Sequence, residues 1–329
     1  MTPSAIIQVK RGIGDVIWHL PFIRAIAAVS PGERVTFLAP PSSGAGELLV
    51  GESCVAETIY FEHAGSELRR GLNLIRLVGL LRQRGFQTLW ILDRTIRPAL
   101  AAWLARVPER IGLGLGPQRY FITNPGIDRS HFHDQPIDWL RALLAAMNVP
   151  LAETEPELHL PVRTLAAVGD RFKQCPRPWI VLGIGASHPS KDWPDLYWAQ
   201  FLALLRERTA GTVFLIGGAD NAARARSLIA PGTGAAAVNA CDLGLAEAAG
   251  LLHLADLFVG TDSGPMNIAA ASGTEAFALF GATPVLDYSR FIHAVVPDGG
   301  PARDGMKRIL PAQVLEQVMP SLDQGPKPS

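Results

Sequence analysis

Short apolar runs rich in β-branched residues alternate with longer amphipathic runs along almost the whole chain, and that alternation is what most narrows its fold. It begins with residues 5–9, 15–29 and 34–39. Parallel strands need a crossover of a dozen or more residues, which a helix supplies, so this pattern reads as a parallel sheet with helices on its faces. Further strands are expected at 57–61, 88–92 and 110–112, and a helix at 67–84. There Leu68, Leu72, Ile75, Leu77, Leu80 and Leu81 recur near helical spacing, while Arg69, Arg70, Arg76, Arg82 and Arg84 mostly fall elsewhere. The segment reads as a long surface helix with one basic side.

Between residues 150 and 178 the periodicity lapses into Pro150, Pro156, Pro161, Pro176 and Pro178 around one expected helix at 163–173, which marks a linker. The alternation then restarts, with strands expected at 179–183, 212–216, 236–239, 256–259 and 276–280. Helices are expected at 195–208, 219–229, 245–254, 265–271 and 312–319. The expectation is an α/β protein of two domains with the same architecture, residues 1–160 and 161–329, and 329 residues suffice for two full cores.

Composition removes other classes. With 48% hydrophobic and 18% charged residues most of the chain should pack. Thirty Lys+Arg balance thirty Asp+Glu, without the positive surplus of a general nucleic-acid binder. Cys54, Cys175 and Cys241 lie far apart and suggest neither a disulfide framework nor a zinc site, which fits a reducing cytoplasm. At the N-terminus Lys10 and Arg11 come after the apolar stretch, the reverse of a signal peptide, so a first strand is expected there. No run approaches the ~20 continuous apolar residues that cross a bilayer.

Three clusters could carry chemistry. The first strand runs into Gly12-Ile13-Gly14-Asp15, a glycine turn that lets backbone approach a ligand at the carboxyl end of a sheet. Ile17 stands where a dinucleotide fingerprint needs its third glycine, which weakens a dehydrogenase reading. Asp15, at a strand-to-helix junction, suits a helix cap, a catalytic base or both. As a weak base it would take a hydroxyl proton late, while the oxygen bonds to an electron-poor carbon.

The second cluster, Gly183 to Pro194, resembles an anion cradle, with small residues exposing amides, the Ser187 hydroxyl and the Lys191 ammonium, though its spacing is not that of a Walker A motif. In the third, a strand ends at Asp262-Ser263-Gly264-Pro265, and Pro265 pre-forms the first turn of a small-residue helix containing Asn267. The Ser263 and Gly264 amides would favour an anion, and Asp262 beside them suits sugar hydroxyls better than phosphate. Asp220, after Gly217-Gly218, is a candidate for a ribose hydroxyl or a base. Arg94 and Arg97 follow a strand at the ligand-binding end and are candidates for an acidic acceptor sugar, while the arginines of 67–84 could attract a phosphorylated lipid or a bilayer surface. His131-Phe132-His133-Asp134 has a metal-like look but no matching set elsewhere, so a loop is expected.

Taken in order, these clusters resemble glycosyltransferase family 9, the heptosyltransferases of lipopolysaccharide core assembly. The matching segments are Gly-Ile-Gly-Asp-Val-Ile with Leu20-Pro21, the Gly-Ala-Ser and Lys-Asp-Trp-Pro loop, and Asp-Ser-Gly-Pro-Met-Asn-Ile-Ala-Ala-Ala followed by Ala-Leu-Phe-Gly-Ala-Thr-Pro. The resemblance implies a GT-B fold, two Rossmann-like domains whose parallel sheets face a central cleft, with acceptor binding in the first and donor binding in the second. It implies inverting transfer from a nucleotide-diphosphate sugar, by family expectation ADP-heptose, to an anionic glycolipid or glycan. Asp15 would be the base, with Lys191 and Ser187 on donor phosphates, Asp262 on the donor sugar, and Ser263 and Gly264 near phosphate. Asn267 stands where the family usually carries His. The scheme calls for no metal or resident cofactor, no nucleic-acid partner, and a cytoplasmic enzyme in peripheral contact with the inner membrane. Two alternatives stay open: a nucleotide-sugar epimerase or hydrolase on the same scaffold, and a non-catalytic nucleotide-sugar-binding protein.

Overall fold

The computed structural model of the protein describes residues 3–62, 65–186, 188–229, 237–286 and 288–323. The chain divides into two compact units, Met1–Pro156 and Glu157–Ser329.

In chain order the first unit comprises β1 (Ser4–Ile7), α1 (Ile13–Ala28), β2 (Val35–Ala39), α2 (Ala45–Leu48), β3 (Val55–Tyr60), α3 (Glu67–Arg84), β4 (Thr88–Ile91), α4 (Ile96–Leu104), β5 (Glu109–Gly112) and α5 (Pro136–Ala146). Its five strands form a parallel sheet in the order β3-β2-β1-β4-β5. Every residue of β1 and β2 is buried, as expected for central strands covered on both faces, and that is why they read as nearly continuous apolar runs, with Ser4 and Thr36 the polar exceptions.

The second unit continues with α6 (Val162–Phe172), β6 (Trp179–Gly183), α7 (Asp195–Arg206), β7 (Thr212–Ile216), α8 (Ala222–Leu228), β8 (Ala237–Asn239), α9 (Leu245–Leu254), β9 (Leu257–Thr261), α10 (Gly264–Ala271), β10 (Glu275–Leu279), β11 (Ile292–Val295) and α11 (Pro311–Asp323). Its parallel sheet has the order β11-β10-β9-β6-β7-β8. In both units chain progression reverses direction beside the first strand, between β1 and β4 and between β6 and β9. Loops leaving the carboxyl ends of such a strand pair diverge to opposite faces and leave a crevice.

Most differences from expectation are local. Residues 219–221 form a 3-10 turn, so α8 starts only at Ala222. Helices α2, α4 and α5 and the edge strand β11 were not expected; α4 buries mainly Pro98, Ala99, Ala101 and Ala102, small side chains that give a weak apolar period. The larger correction concerns α3. Its expected apolar stripe is split, with Leu77 and Leu81 packed inward beside Asn73 and with Leu68, Leu72 and Ile75 in solvent. Among the described residues no helix is long and apolar enough to cross a membrane.

Each unit has its own core. In the second, α7 and α11 close over β6, β7, β9 and β10, with Trp193, Trp198 and Phe201 fully buried. The Trp193 ring meets Trp198 edge-on at 4.7 Å between centroids, and its Nε1–H donates to the Ile309 carbonyl at 3.0 Å. Trp193→Ala should therefore lower stability by about 4 kcal/mol, from lost packing and a stranded carbonyl. A urea-unfolding midpoint close to that of the native chain would contradict this placement.

Candidate functional site

The crevice of the second unit opens where β6 and β9 end side by side, with Gly183 opposite Gly260. Neither position tolerates a Cβ, because the Phe258 ring lies across both strands; a Cβ would come within 2.7 Å of it at Gly183 and 2.4 Å at Gly260. Past these glycines the chain turns into the 3-10 turn Pro189–Lys191 on one side and into α10 on the other. Lys191 Nζ donates to Asp262 Oδ2 at 2.6 Å and to the Asp262 carbonyl at 3.2 Å. Thr283 Oγ1–H donates to the same carboxylate oxygen at 2.8 Å. An ammonium has three N–H groups, so one remains to be directed at an anion. Asp262 keeps Oδ1 for a hydroxyl donor.

The turn is braced by groups that local sequence reading overlooks. Arg224 of α8 donates to Asp192 at 2.8 Å, to Asp195 at 2.7 Å, and to the carbonyls of Ile184 and Trp193 at 2.6 and 3.0 Å. Burial opposes its charge, but bonding to Asp192 and Asp195 outweighs that and raises its pKa above the ordinary value. Thr261 Oγ1–H donates to the Gly185 carbonyl at 3.1 Å, tying the β9 end to the β6 loop. On its other side Gly185 abuts the β7 turn, since a Cβ there would lie 3.0 Å from the Gly217 carbonyl. Asp220 sits exposed on that turn, accepting from Asn221 Nδ2 at 3.2 Å.

Ser263 is the N-cap of α10, and Gly264 and Pro265 open the helix, so the first-turn amides face the end of β9. Ser263 Oγ–H donates to the Thr261 carbonyl at 3.1 Å. Asn267 is buried; its Nδ2 donates to the Ser263 carbonyl at 2.7 Å and its Oδ1 accepts from Tyr288. It thus ties the start of α10 to Tyr288. Ser187 lies outside the described residues.

In the first unit α1 begins at Ile13 with Gly12 as its cap residue, so Asp15 is the third helical residue, not the cap. Its Oδ2 accepts from the Gly12 amide at 3.2 Å, and its Oδ1 lies 3.2 Å from Lys10 Nζ. A Cβ at Gly12 would come within 2.8 Å of that carboxylate, which explains a glycine there; Gly14 lies within the first turn. Lys10 is the partner that sequence reading passed over. Its loop is held from beneath by Gln8, whose Nε2 donates to the Lys10 carbonyl at 3.1 Å and whose Oε1 accepts from His19 Nδ1.

Across the strand pair, the buried Asp93 at the end of β4 accepts from the amides of Val9 at 3.1 Å and Thr95 at 2.8 Å. Burial pushes its pKa above the ordinary carboxylate range, against those hydrogen bonds. The two basic candidates beyond it diverge. Arg97 lines a cavity of about 80 Å³ with Val9, Phe61, Asn73 and Thr95, at the carboxyl ends of β1, β3 and β4. Arg94 instead stacks its guanidinium on Phe132 and Trp139, 5.4 and 5.2 Å from the ring centroids. The 131–134 segment ends the 3-10 turn Arg129–His133, with His131 bonded to Asp134 at 2.6 Å. Among the described residues there is no group of three or more His, Cys, Asp or Glu placed to hold a metal.

A model of glycosyltransferase family 9 (heptosyltransferase) matches residues 74–290. Among solved structures, the chain is similar to the E. coli ADP-heptose lipopolysaccharide heptosyltransferase II, with 22% identity, TM-score 0.80, and 98% of this chain and 99% of that one covered. It is also similar to a family 9 glycosyltransferase from Veillonella parvula (17%, TM-score 0.81, 98% and 97% covered). A third is the E. coli heptosyltransferase WaaC with ADP-2-deoxy-2-fluoro heptose (14%, TM-score 0.73, 97% and 99% covered). The fold is therefore of the GT-B type. No curated protein is similar by sequence.

His19 supplies a pH signature for the first crevice. Burial foremost, then the charge of Lys10, lowers its pKa from 6.5 to about 3, so the folded state keeps it neutral. The unfolded chain takes up that proton below its own pKa of 6.5, so stability falls as pH drops from about 6.5 toward 3. Between about pH 7 and pH 5 this group should remove about 2 kcal/mol of stability. His19→Gln should abolish that component; urea midpoints whose pH dependence is unchanged would show that His19 does not supply it.

Proposed function

The chain belongs to glycosyltransferase family 9, and on that premise we propose that it is an inverting transferase moving heptose, or a related sugar, from a nucleotide diphosphate to an anionic acceptor of the lipopolysaccharide-core type. The observation that carries the donor half is the Lys191–Asp262–Thr283 cluster at the strand reversal of the second unit. In this reading Lys191 turns its remaining N–H to the outer phosphate, beside the Ser263 and Gly264 amides at the start of α10. These fixed donors meet charge that grows as the nucleotide leaves, an arrangement worth several kcal/mol in the transition state. Asp262, with Lys191 and Thr283 on Oδ2, offers Oδ1 to a sugar hydroxyl. Asp220, on the adjoining turn, is assigned to the nucleoside, and ADP-heptose is the donor we favour, since the similar proteins include an ADP-heptose lipopolysaccharide heptosyltransferase and a heptosyltransferase with ADP-2-deoxy-2-fluoro heptose. The charge handling falls to Lys191 and helix amides, so the scheme asks for no metal.

Asp15 is assigned as the base. Its two oxygens are oriented by Gly12 and Lys10, and in this reading the carboxylate takes the hydroxyl proton as the acceptor oxygen bonds to the anomeric carbon. The acceptor would meet Gly12, Gly14 and Arg97, with Arg94 acting at one remove by fixing the 131–139 segment. A lipid-borne acceptor assigns the enzyme to the cytoplasmic face of the inner membrane.

Asp15→Asn should lower turnover by about 10² to 10⁴-fold with ADP affinity unchanged, measured with ADP-heptose and a matched acceptor. Retained turnover would remove Asp15 as the base. Lys191→Ala should weaken ADP binding by at least about tenfold in calorimetric titration, the worth of one charge-assisted hydrogen bond. Equal affinity in the two proteins, or a native preference for UDP or GDP over ADP, would count against the donor assignment.

A further inference from the structure

Helix α3 turns toward solvent the kind of stripe a helix ordinarily buries. At about 100° per residue, Leu68, Leu72 and Ile75 fall within an arc of about 60°. They are 77%, 47% and 68% exposed. Arginines edge this stripe, Arg69 and Arg76 on one side and Arg82 on the other. Arg69 and Arg76 have no ion-pair partner among the described residues. The helix has one acidic residue, Glu67 at its start, and that is paired with Arg70. Arg82 donates to the Leu104 carbonyl at 2.8 Å, tying this edge to the end of α4, where Trp103 is 50% exposed.

The chemistry of the face selects its partner. Contiguous exposed apolar area on a soluble domain marks an interaction site, and a rim of unneutralised guanidinium groups asks for a partner that is anionic as well as apolar. Arginine stems lie along apolar surface while their heads reach outward to phosphate, and tryptophan favours the boundary between hydrocarbon and water. An apolar centre, a cationic rim and an interfacial tryptophan suit a helix lying flat on an anionic bilayer.

We propose that the outward face of α3 docks the first unit on an anionic lipid bilayer. Leu68, Leu72 and Ile75 enter the boundary between headgroups and acyl chains, and Arg69, Arg76 and Arg82 meet lipid phosphates. The opposite face of the same helix lines the Arg97 cavity through Asn73 and Leu77, so a membrane-borne acceptor is met about one helix diameter, ~10 Å, from the surface. This deepens the proposed function and rests on it for the acceptor alone; the docking surface is tested without donor or acceptor.

The full chain is sedimented with vesicles of phosphatidylethanolamine and phosphatidylglycerol, and with vesicles of phosphatidylcholine alone. Binding is expected to the anionic vesicles and to fall with added salt. Leu68→Ser/Leu72→Ser/Ile75→Ser should reduce it at least about tenfold. Arg69→Glu/Arg76→Glu should reduce it by a similar factor and remove most of its salt dependence. Both variants should keep native ADP affinity and thermal midpoint. No binding by the native chain, or equal binding by the variants, would overturn the proposal. So would a native dimer that the triple serine variant dissociates without any vesicle binding, since a second copy would then cover the face. Vesicle binding by a native chain that fails to bind ADP would support the surface and sink the donor reading.

Discussion

Parallel pairing of β6 with β9 is the constraint on which the candidate donor site depends. These strands are separated by β7, β8 and three helices in the chain, yet their ends lie side by side, with Gly183 opposite Gly260. Only that pairing brings Lys191 to within 2.6 Å of Asp262, a residue 71 positions later. The pairing in turn depends on what the strands lack. Two facing glycines leave room for the Phe258 ring to lie across both, and a methyl group at either would force the strands or the ring aside. Core packing and site geometry are thus one problem at this point.

The same device recurs in the first unit, where β1 pairs with β4 and the segments beyond them carry Asp15, in the first turn of α1, and Asp93. Both crevices put a carboxylate beside a cation or amide donors, but in different surroundings. Asp15, the base of the proposed reaction, is a partly exposed group held by Gly12 and Lys10. Asp262, assigned to the donor sugar in the proposed reading, is nearly buried and fastened by Lys191 and Thr283. The supporting groups differ in the same way. A neutral, buried His19–Gln8 pair fixes the Lys10 loop, whereas a charged Arg224 with two carboxylates fixes the Lys191 loop. The ionic bracket joins Asp192 and Asp195, which follow the Lys191 turn, to Arg224.

Helix α3 shows how far periodicity reaches as an argument. Its limits, Glu67 to Arg84, were legible because leucines recur at helical spacing between them; in the structure Ser66 caps one end and Gly85 adopts a left-handed turn at the other. Which leucines are covered was not legible. Leu68, Leu72 and Ile75 satisfy helical spacing as well as Leu77 and Leu81 do, and only the position of β4 and α4 against one side decides between the arcs. Similarly, Thr283 lay in a recognisable Ala-Thr-Pro segment without any sign that it reaches Asp262, and Arg224 sits in a helix that reads as ordinary surface.

What the sequence determined by itself was local and periodic: where strands and helices run, that there are two α/β units, which turns carry glycine, and that Asp15, Lys191 and Asp262 sit at strand-to-helix junctions. Those properties follow from contacts among residues a few positions apart, and such contacts leave a repeating pattern. What only the tertiary structure decided was strand order, the partner of each charged group, and the face each helix turns outward. Such choices are made by groups tens of residues apart meeting across a sheet, and no period in the chain records them.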